Sequence, residues 1–532
     1  MIFIRKFLDN INNLTVLKAF FISKKGIILS MFAAGFLASF GFAPYSSFVA
    51  ILAAYFVLFL LCFNFDTKKQ VFLAVLLFFT VQNAVTLYWL NFVMEDFGKL
   101  PIFASLAIEI LFSFYLALPY AICAVIAFML AKKAKTSAIA CFMPISFCLA
   151  DFIVGYLFTG FPWMYIGNAM QTGPFSSYAP LIGVRGINLL AYIFVGALAL
   201  TATRRFLYLP VAGIIFVFGI LTMGIRFTVD TCSLNVVLVQ GNIKPEVKWD
   251  PQHVMPSIGK YWNLTEPYIK PNTLIVWSES SIPLYIEESG DLLNDLNTVV
   301  NSKSARLITG IQHIDLRTKE SFNSMILLGD KPSFSIDNLA RYDKKHLVPF
   351  GEIVPFEKYL RPLGSIFNFP MSGFSKGEEQ QDPFNVFSYN LLPVICYESI
   401  FPELVRNEDS AEINGIVMVS NDGWFGQTRG PLEHLAIAKI RALELQKPVL
   451  RSTNNGITAI IDAKGTVSAS IPANEASVLS AQVTLTKGLT PYARFGNIPF
   501  FIMLCIAFCC GFIVRNHHSS NLDENLRSLI RP

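Results

Sequence analysis

The sequence predicts a membrane-embedded α-helical bundle of about eight spans joined to one extramembrane α/β domain. Three observations carry that prediction. Of 532 residues, 53% are hydrophobic and only 15% charged, with 49 Phe, a balance that fits lipid better than water. Eight apolar stretches recur, each of roughly the length a bilayer core requires. One long interval between the last two stretches loses that character and reads instead as apolar, β-branched strands alternating with amphipathic helices.

The first stretch, Gly26 to Phe42, follows a basic leader containing Arg5, Lys6, Lys18, Lys24 and Lys25. It has no convincing small-residue cleavage site and runs straight into further spans, so it reads as a retained helix and not a signal peptide. The next six lie near 47–64, 70–92, 102–131, 137–158, 178–202 and 206–225, and the last near 497–514. Alternating the spans puts the leader, Lys68-Lys69, Lys132-Lys133, Lys135, Arg204-Arg205 and Arg515 on one side. The short loops opposite contain only Lys99. Because Lys and Arg accumulate in cytoplasmic loops, both termini are expected in the cytoplasm and the long interval outside it. The expected division is 1–225 for seven membrane helices, 226–496 for the extramembrane domain, and 497–532 for the last helix and a cytoplasmic tail. The tail after Arg515 reads as disordered.

Two carboxylates, Glu109 and Asp151, interrupt apolar spans, which makes each a functional candidate or a bond to a neighbouring helix. Gly160-Phe161-Pro162-Trp163, after the fifth span, suits a re-entrant or interfacial turn. In the extramembrane interval, strands are expected at Asn235 to Val239, Thr273 to Trp277, Ala305 to Ile314, Ser324 to Leu328, Leu391 to Cys396, Ile413 to Val419, Ile457 to Ile461 and Val478 to Leu485. Gly430 to Gln446 carries a helical stripe of Leu432, Leu435, Ala436, Ile440 and Leu443.

The net charge of +5 is spread in short clusters between apolar spans and forms no nucleic-acid stripe. Seven of the nine cysteines lie in apolar spans, leaving Cys232 and Cys396. Neither has ligands at zinc spacing, and no metal or cofactor is expected. A Cys232 to Cys396 disulfide is disfavoured, because Cys232 sits at the membrane exit before the first strand. Cys396 ends a buried strand, and Phe401 to Arg406 can open a helix. A strand-to-helix turn exposes a thiol and favours its thiolate, although cysteine is also a common core residue. A thiol nucleophile needs a base, an oxyanion partner and a group that places them. Two polar islands offer these: Glu279 after Leu274-Ile275-Val276-Trp277-Ser278, and Tyr342-Asp343-Lys344-Lys345-His346 before Leu347-Val348-Pro349-Phe350-Gly351-Glu352. Each residue also has a plainer reading, Glu279 as a loop cap and Lys344 as a solvated lysine. His434 reads as structural, His346 as a brace for its loop, and Trp424 and Phe425 as wall of the site.

In that order and those contexts, Glu279, Lys344 and Cys396 resemble the Glu-Lys-Cys triad of the nitrilase superfamily. The whole chain resembles the apolipoprotein N-acyltransferase family, in which such a domain is fused between membrane spans. Further motifs carry the resemblance: Gly41-Phe42-Ala43-Pro44, Gly160-Phe161-Pro162-Trp163, Gln240-Gly241-Asn242 with Trp249, His346 to Glu352, Ile395-Cys396-Tyr397-Glu398, Asn421-Asp422-Gly423-Trp424-Phe425-Gly426, Arg451 to Gly456 and Thr490 to Arg494. The resemblance implies a nitrilase-like αββα sandwich, with Glu279 as general base, Cys396 as nucleophile and Lys344 as the cation beside the oxyanion. Lys344 and not Lys345 fits the family pattern. The Tyr397 N–H would complete the oxyanion hole, Glu352 would position the triad, Tyr397 and Glu398 would shape the site, and Trp249 would lie at the substrate entrance. Where the family often shows Glu-Trp and a nearby Arg, this chain has Asp151-Phe152 and Val154, which puts an ion pair there in doubt.

The implied activity is transfer of an acyl chain from a phospholipid donor, through a Cys396 thioester, to the α-amine of the N-terminal diacylglyceryl-cysteine of an apolipoprotein. The implied setting is a bacterial inner membrane with the catalytic domain on the periplasmic side. Two other readings compete. A membrane-anchored nitrilase-type amidase acting on small amides would need only one anchoring helix. A catalytically dead scaffold would tolerate loss of the triad.

Overall fold

The computed structural model describes residues 23–132, 134–353 and 373–530, with the backbone alone for Lys24 and 518–530. Arg5, Lys6, Lys18 and Lys133, used above for orientation, lie outside the described residues or side chains. The apolar stretches form helices α1 (Lys24–Ala38), α2 (Phe48–Asn64), α3 (Lys68–Thr86), α4 (Ile102–Ala131), α5 (Met143–Tyr156), α6 (Ala179–Ala202) and α7 (Leu209–Thr222). Among the described residues, five apolar helical stretches, those built on α3 to α6 and the one near the C-terminus, are long enough to cross a bilayer. Three shorter apolar helices, among the described residues, accompany them. Outward-facing Ile, Leu and Phe on α4, α7 and the C-terminal helix are the surface lipid would cover. The expected span at 70–92 is interrupted: α3 stops at Thr86, and a separate short helix, Trp89–Phe92, turns Trp89 inward.

Both intramembrane carboxylates are buried and hydrogen-bonded. Glu109 accepts from Ser113 Oγ at 2.9 Å. Asp151 accepts from Asn188 Nδ2 at 2.8 Å, from Tyr192 Oη at 3.2 Å and from the Tyr120 hydroxyl. Neutral donors thus replace the ion pair the sequence called into question, while Arg185 pairs with Glu403 of the other domain. After α5 comes an exposed 3-10 turn, Leu157–Thr159, and then a run of largely buried 3-10 turns from Pro162 through Tyr178, consistent with a re-entrant segment at Gly160 to Trp163. Gly160 is required there: its φ is +88°, and a Cβ would lie 2.1 Å from the Gly155 carbonyl oxygen.

The domain that follows has two six-stranded sheets. The first takes β1 (Val229–Gln240), β2 (Thr273–Val276), β3 (Arg306–Ile314), β4 (Ser321–Leu328), β5 (Ala340–Asp343) and, from the far end of the domain, β12 (Ser477–Lys487). Its order is β12-β1-β2-β3-β4-β5. The second takes β6 (Phe384–Val386), β7 (Tyr389–Ile395), β8 (Ile413–Ser420), β9 (Val449–Thr453), β10 (Thr458–Ile461) and β11 (Val467–Ile471), in the order β11-β10-β9-β8-β7-β6. Each sheet is parallel at its centre, β1-β2-β3 and β7-β8-β9, and antiparallel at its margins.

Strand alternation builds the layers. Val236 and Leu238 of β1 meet Val417 and Val419 of β8 between the sheets. Val237 and Val239 face the opposite way, into a core shared with α8 (Pro251–Thr265) and α9 (Gly290–Ser302). Leu392 and Val394 of β7 pack outward on α10 (Gly430–Leu445) through Ala438 and Ala442. The result is the expected αββα sandwich. β5, β6, β9 and β11 were not read as strands in the sequence, being short or broken by polar residues.

One expectation is overturned. The tail after Arg515 continues as helix in α11 (Ile498–Ile530). Leu522, Leu526, Leu529 and Ile530 recur at i, i+4, i+7 and i+8, a spacing that supports an amphipathic helix despite the scattered charges.

Helix α10 also fastens the sandwich to the bundle. Arg429, at its start, donates to the carbonyls of Ala43 at 2.8 Å and Ser39 at 3.1 Å. It pairs with Glu433 at 2.7 Å, and Glu433 accepts the indole N–H groups of Trp163 at 2.8 Å and Trp89 at 3.2 Å. Arg429→Ala leaves the buried Glu433 carboxylate without its counter-charge and the Ala43 and Ser39 carbonyls without their donor. It is expected to destabilise the detergent-solubilised protein by about 3–5 kcal/mol. A melting temperature within a degree of wild type would contradict this.

Candidate active site

The candidate groups meet at the carboxyl ends of strands, where short turns free side chains from the ladders. β7 ends at Ile395, and Cys396 adopts φ +53°, a left-handed conformation that costs a non-glycine residue about 1–2 kcal/mol. A 3-10 turn, Cys396–Ile400, and a short helix, Pro402–Asn407, follow. This is the predicted strand-to-helix elbow, tighter than a direct entry into α-helix. Glu398 pins it from below: its carboxylate accepts Ile395 N–H at 2.7 Å, Lys345 N–H at 2.6 Å and Tyr342 O–H at 3.0 Å. Those contacts tie the cysteine turn to the lysine loop, and burial pushes the Glu398 carboxyl up to about 7.

Glu279 follows β2. One carboxylate oxygen accepts from Asn323 Nδ2 at 2.8 Å and Lys344 Nζ at 3.4 Å, and the other accepts the Asn421 N–H at 2.8 Å, across the sheet pair. Lys344 follows β5 and lies 2.9 Å from Glu352, which also accepts from Asn323 Nδ2 at 2.8 Å and Val348 N–H at 2.8 Å. Burial alone would lower the Lys344 pKa, but the Glu352 and Glu279 carboxylates outweigh it and hold the ammonium protonated. Lys345 points elsewhere, to Glu408 at 2.7 Å and the Glu379 carbonyl at 2.6 Å. Cys396 is partly buried, and Cys232 and Cys396 are both free thiols. Burial and the Glu279 charge push the Cys396 thiol up, and Lys344 pulls it down. A thiol, a carboxylate and a fixed cation are therefore gathered in one site, a set able to pass a proton from sulfur and steady a developing oxyanion.

Three contributors were not picked out in the sequence. Asn323 lies just outside the strand read there, yet its amide bridges Glu279 and Glu352. His434 lies 3.1 Å from the Cys396 carbonyl. Lys248, which resembles an ordinary surface lysine beside Trp249, is buried and donates to the Glu279 carbonyl at 2.9 Å. Trp249 is half-buried beside it, its ring centroid 6.0 Å from the Lys248 Nζ. His346 packs on Phe401 with ring centroids 3.7 Å apart, and burial pushes its pKa down to about 4, so it is neutral and braces the loop.

Burial pushes Lys248 down to about 8, with Glu279 and Cys396 pulling the other way. It is therefore cationic below pH 8 and neutral above. The rate of forming an acyl-enzyme in a single turnover is expected to fall as pH rises through 8. Lys248→Met should lower the plateau and remove that alkaline limb, and an unchanged limb in the variant would contradict the assignment.

The cysteine turn packs directly against the bundle. Tyr397 O–H donates to the Gly160 carbonyl at 3.0 Å. Tyr397, Ile400, Phe401 and Phe425 belong to the apolar core of the membrane helices. Trp89 and Trp163, with ring centroids 5.2 Å apart, pack against Phe425 at 4.8 and 5.9 Å. Phe425 thus packs into the aromatic core of the bundle, while Trp424 packs on Phe97 at 4.5 Å.

Residues 34–198 match the family model of the apolipoprotein N-acyltransferase N-terminal domain, and residues 235–488 match that of carbon-nitrogen hydrolases. Apolipoprotein N-acyltransferase of Vibrio cholerae serotype O1 is 36% identical over 480 residues, covering 89% of this chain and 94% of that one. The enzyme of the same name from Shewanella oneidensis is 35% identical over 448 residues, covering 81% and 85%. Among solved structures, Saccharomyces cerevisiae Nit3, of the nitrilase superfamily, aligns with a TM-score of 0.37 at 18% identity, over 49% of this chain and 92% of that one. With both domains matched in order and a third of the residues shared over nearly the full length of such relatives, the chain belongs to the apolipoprotein N-acyltransferase family.

Proposed function

We propose that this membrane-bound acyltransferase moves an acyl chain from a phospholipid, through a thioester on Cys396, to the α-amino group of the N-terminal diacylglyceryl-cysteine of apolipoproteins. The observation that carries the reading is the continuity of the thiol turn with the membrane core: Tyr397 and Phe425 pack among bundle residues while Glu279 and Lys344 approach from the sandwich. Lipid-borne substrates would reach such a thiol from the bilayer. Water would meet an aromatic wall.

In the first half-reaction Glu279 takes the thiol proton and the sulfur attacks the ester carbonyl carbon. Lys344 and the Tyr397 N–H stabilise the oxyanion. The carbon–oxygen bond then breaks, and the lysophospholipid leaves with the proton from Glu279. In the second, the α-amine attacks the thioester, gives its proton to Glu279 and releases the thiol, leaving an amide. Thioester to amide is downhill, so the residues need no energy source. Glu352 and Glu398 hold the lysine and cysteine in place, and Trp249 lies on the substrate's way in. The division of labour we propose is 1–225 and 497–532 in the membrane and 226–496 as catalytic domain. That domain would lie on the periplasmic face of the inner membrane, with both termini cytoplasmic.

The test is transfer in proteoliposomes containing phospholipid and a synthetic diacylated lipopeptide. Mass spectrometry should find one added acyl chain on the peptide's N-terminal amine, absent with Cys396→Ala. Free fatty acid as the sole product, or release of ammonia from small amides in place of transfer, would favour a hydrolase.

A further inference from the structure

Glu279 and Lys344 act on the thiol, but neither orients the peptide unit that follows it. That unit joins the Cys396 carbonyl to the Tyr397 N–H. It is planar, with the two groups pointing in opposite directions, so whatever holds the carbonyl aims the amide. The Tyr397 N–H lies in the first turn of a 3-10 segment, where donors have no partner within the helix. Ser399 Oγ donates to the Cys396 carbonyl at 3.0 Å, and His434 Nε2 lies 3.1 Å from the same oxygen. The same Nε2 lies 3.0 Å from Ser399 Oγ, whose own hydrogen goes to the carbonyl, and Arg451, which can only donate, faces Nδ1 at 3.1 Å; with Nδ1 accepting, the ring hydrogen is on Nε2 and points to the carbonyl.

The ring is held for that purpose. His434 is 1% exposed, and its Nδ1 lies 3.0 Å from Asp422 Oδ1 and 3.1 Å from Arg451 Nη2. Arg451 in turn donates to Asp422 at 2.6 Å, and Ser420 Oγ donates to Asp422 at 2.6 Å. Trp163 of the membrane domain stacks on the imidazole with centroids 5.8 Å apart and planes at 30°. Side-chain fixation on this scale is more than filling a core position requires.

We infer that His434 is a positioning residue of the oxyanion hole: by donating Nε2–H to the Cys396 carbonyl it fixes and polarises the Cys396–Tyr397 peptide, so that the Tyr397 N–H faces the acyl oxygen. Donation to a carbonyl strengthens the N–H at the other end of the same amide. The inference rests on Cys396 being the nucleophile of the proposed reaction. It predicts a role in the tetrahedral step and none in ionising the thiol.

The experiment uses the full chain in detergent with a phospholipid donor, comparing wild type, His434→Gln and His434→Asn. Gln can extend an amide donor to the carbonyl, whereas Asn is too short. Three quantities are read: the rate of acyl adduct formation, KM for the phospholipid, and the rate of Cys396 alkylation by iodoacetamide. Asn is expected to slow adduct formation by about 10²-fold, the low end of what loss of an oxyanion-hole donor costs, with KM and alkylation within about two-fold of wild type. Gln should recover most of that loss. Equal rates for Gln and Asn, or alkylation falling in parallel with acylation, would overturn the inference. A wild-type protein that forms no adduct would instead overturn the thioester reading itself.

Discussion

Lys344→Met is expected to lower acyl transfer by about 10³-fold, at the upper end of what one electrostatic partner supplies in a water-excluded site. The side chain is 1% exposed and stands between two carboxylates, Glu352 at 2.9 Å and Glu279 at 3.4 Å, each with 6% exposure. Removing the cation takes away its stabilisation of the oxyanion and of the thiolate. It also leaves like charges facing one another in a dry site, so the variant should lose about 3–5 kcal/mol of stability. Arg at this position is not expected to rescue activity, because a planar fork does not fit contacts built for a compact ammonium. The Lys344 pKa is raised on folding, so its contribution to stability is fully present below the ordinary lysine value and goes only as pH climbs beyond it. Transfer rates and thermal unfolding of wild type and variant check both parts. Retention of a tenth of wild-type transfer would contradict the first.

Glu279→Gln should be nearly as severe for catalysis but opposite in its effect on the free thiol. Loss of a positioned general base typically costs about 10²–10⁴-fold. The substitution also sets an amide NH₂ against donors, since the carboxylate now accepts from Asn323, Lys344 and Asn421. Yet the Glu279 charge pushes the Cys396 thiol up, so removing it should let the thiol ionise at lower pH. Iodoacetamide should then alkylate Cys396 faster at a fixed mildly alkaline pH while acylation from phospholipid nearly stops. Parallel loss of both would mean that Glu279 acts by holding the fold and not as a base.

The sequence and structure agree where a signal is local and strong. Long apolar runs needed no tertiary information, nor did the β-branched strand leading into Cys396. The Cys396 elbow was also legible, because an apolar strand followed by Pro402 limits how the chain can turn. What escaped was set by partners distant in sequence. Lys248 looks like a surface lysine until a turn places it against the Glu279 carbonyl, and Asn323 looks like strand polarity until two carboxylates converge on it. His434 was read as structural from its helix partners, since nothing local shows that its ring reaches the Cys396 carbonyl. The tail failed in the other direction: its charges suggested disorder, but leucines at helical spacing carry the chain on as helix.

The central claim is that Cys396 carries the acyl chain. Intact-mass analysis of the purified enzyme with phospholipid and no acceptor tests it most directly. A single acyl increment is expected, mapping to Cys396, lost on adding diacylated lipopeptide and absent from Cys396→Ala. A wild-type enzyme that transfers acyl chains to the peptide while carrying no such adduct, or that carries one in Cys396→Ala, would contradict it.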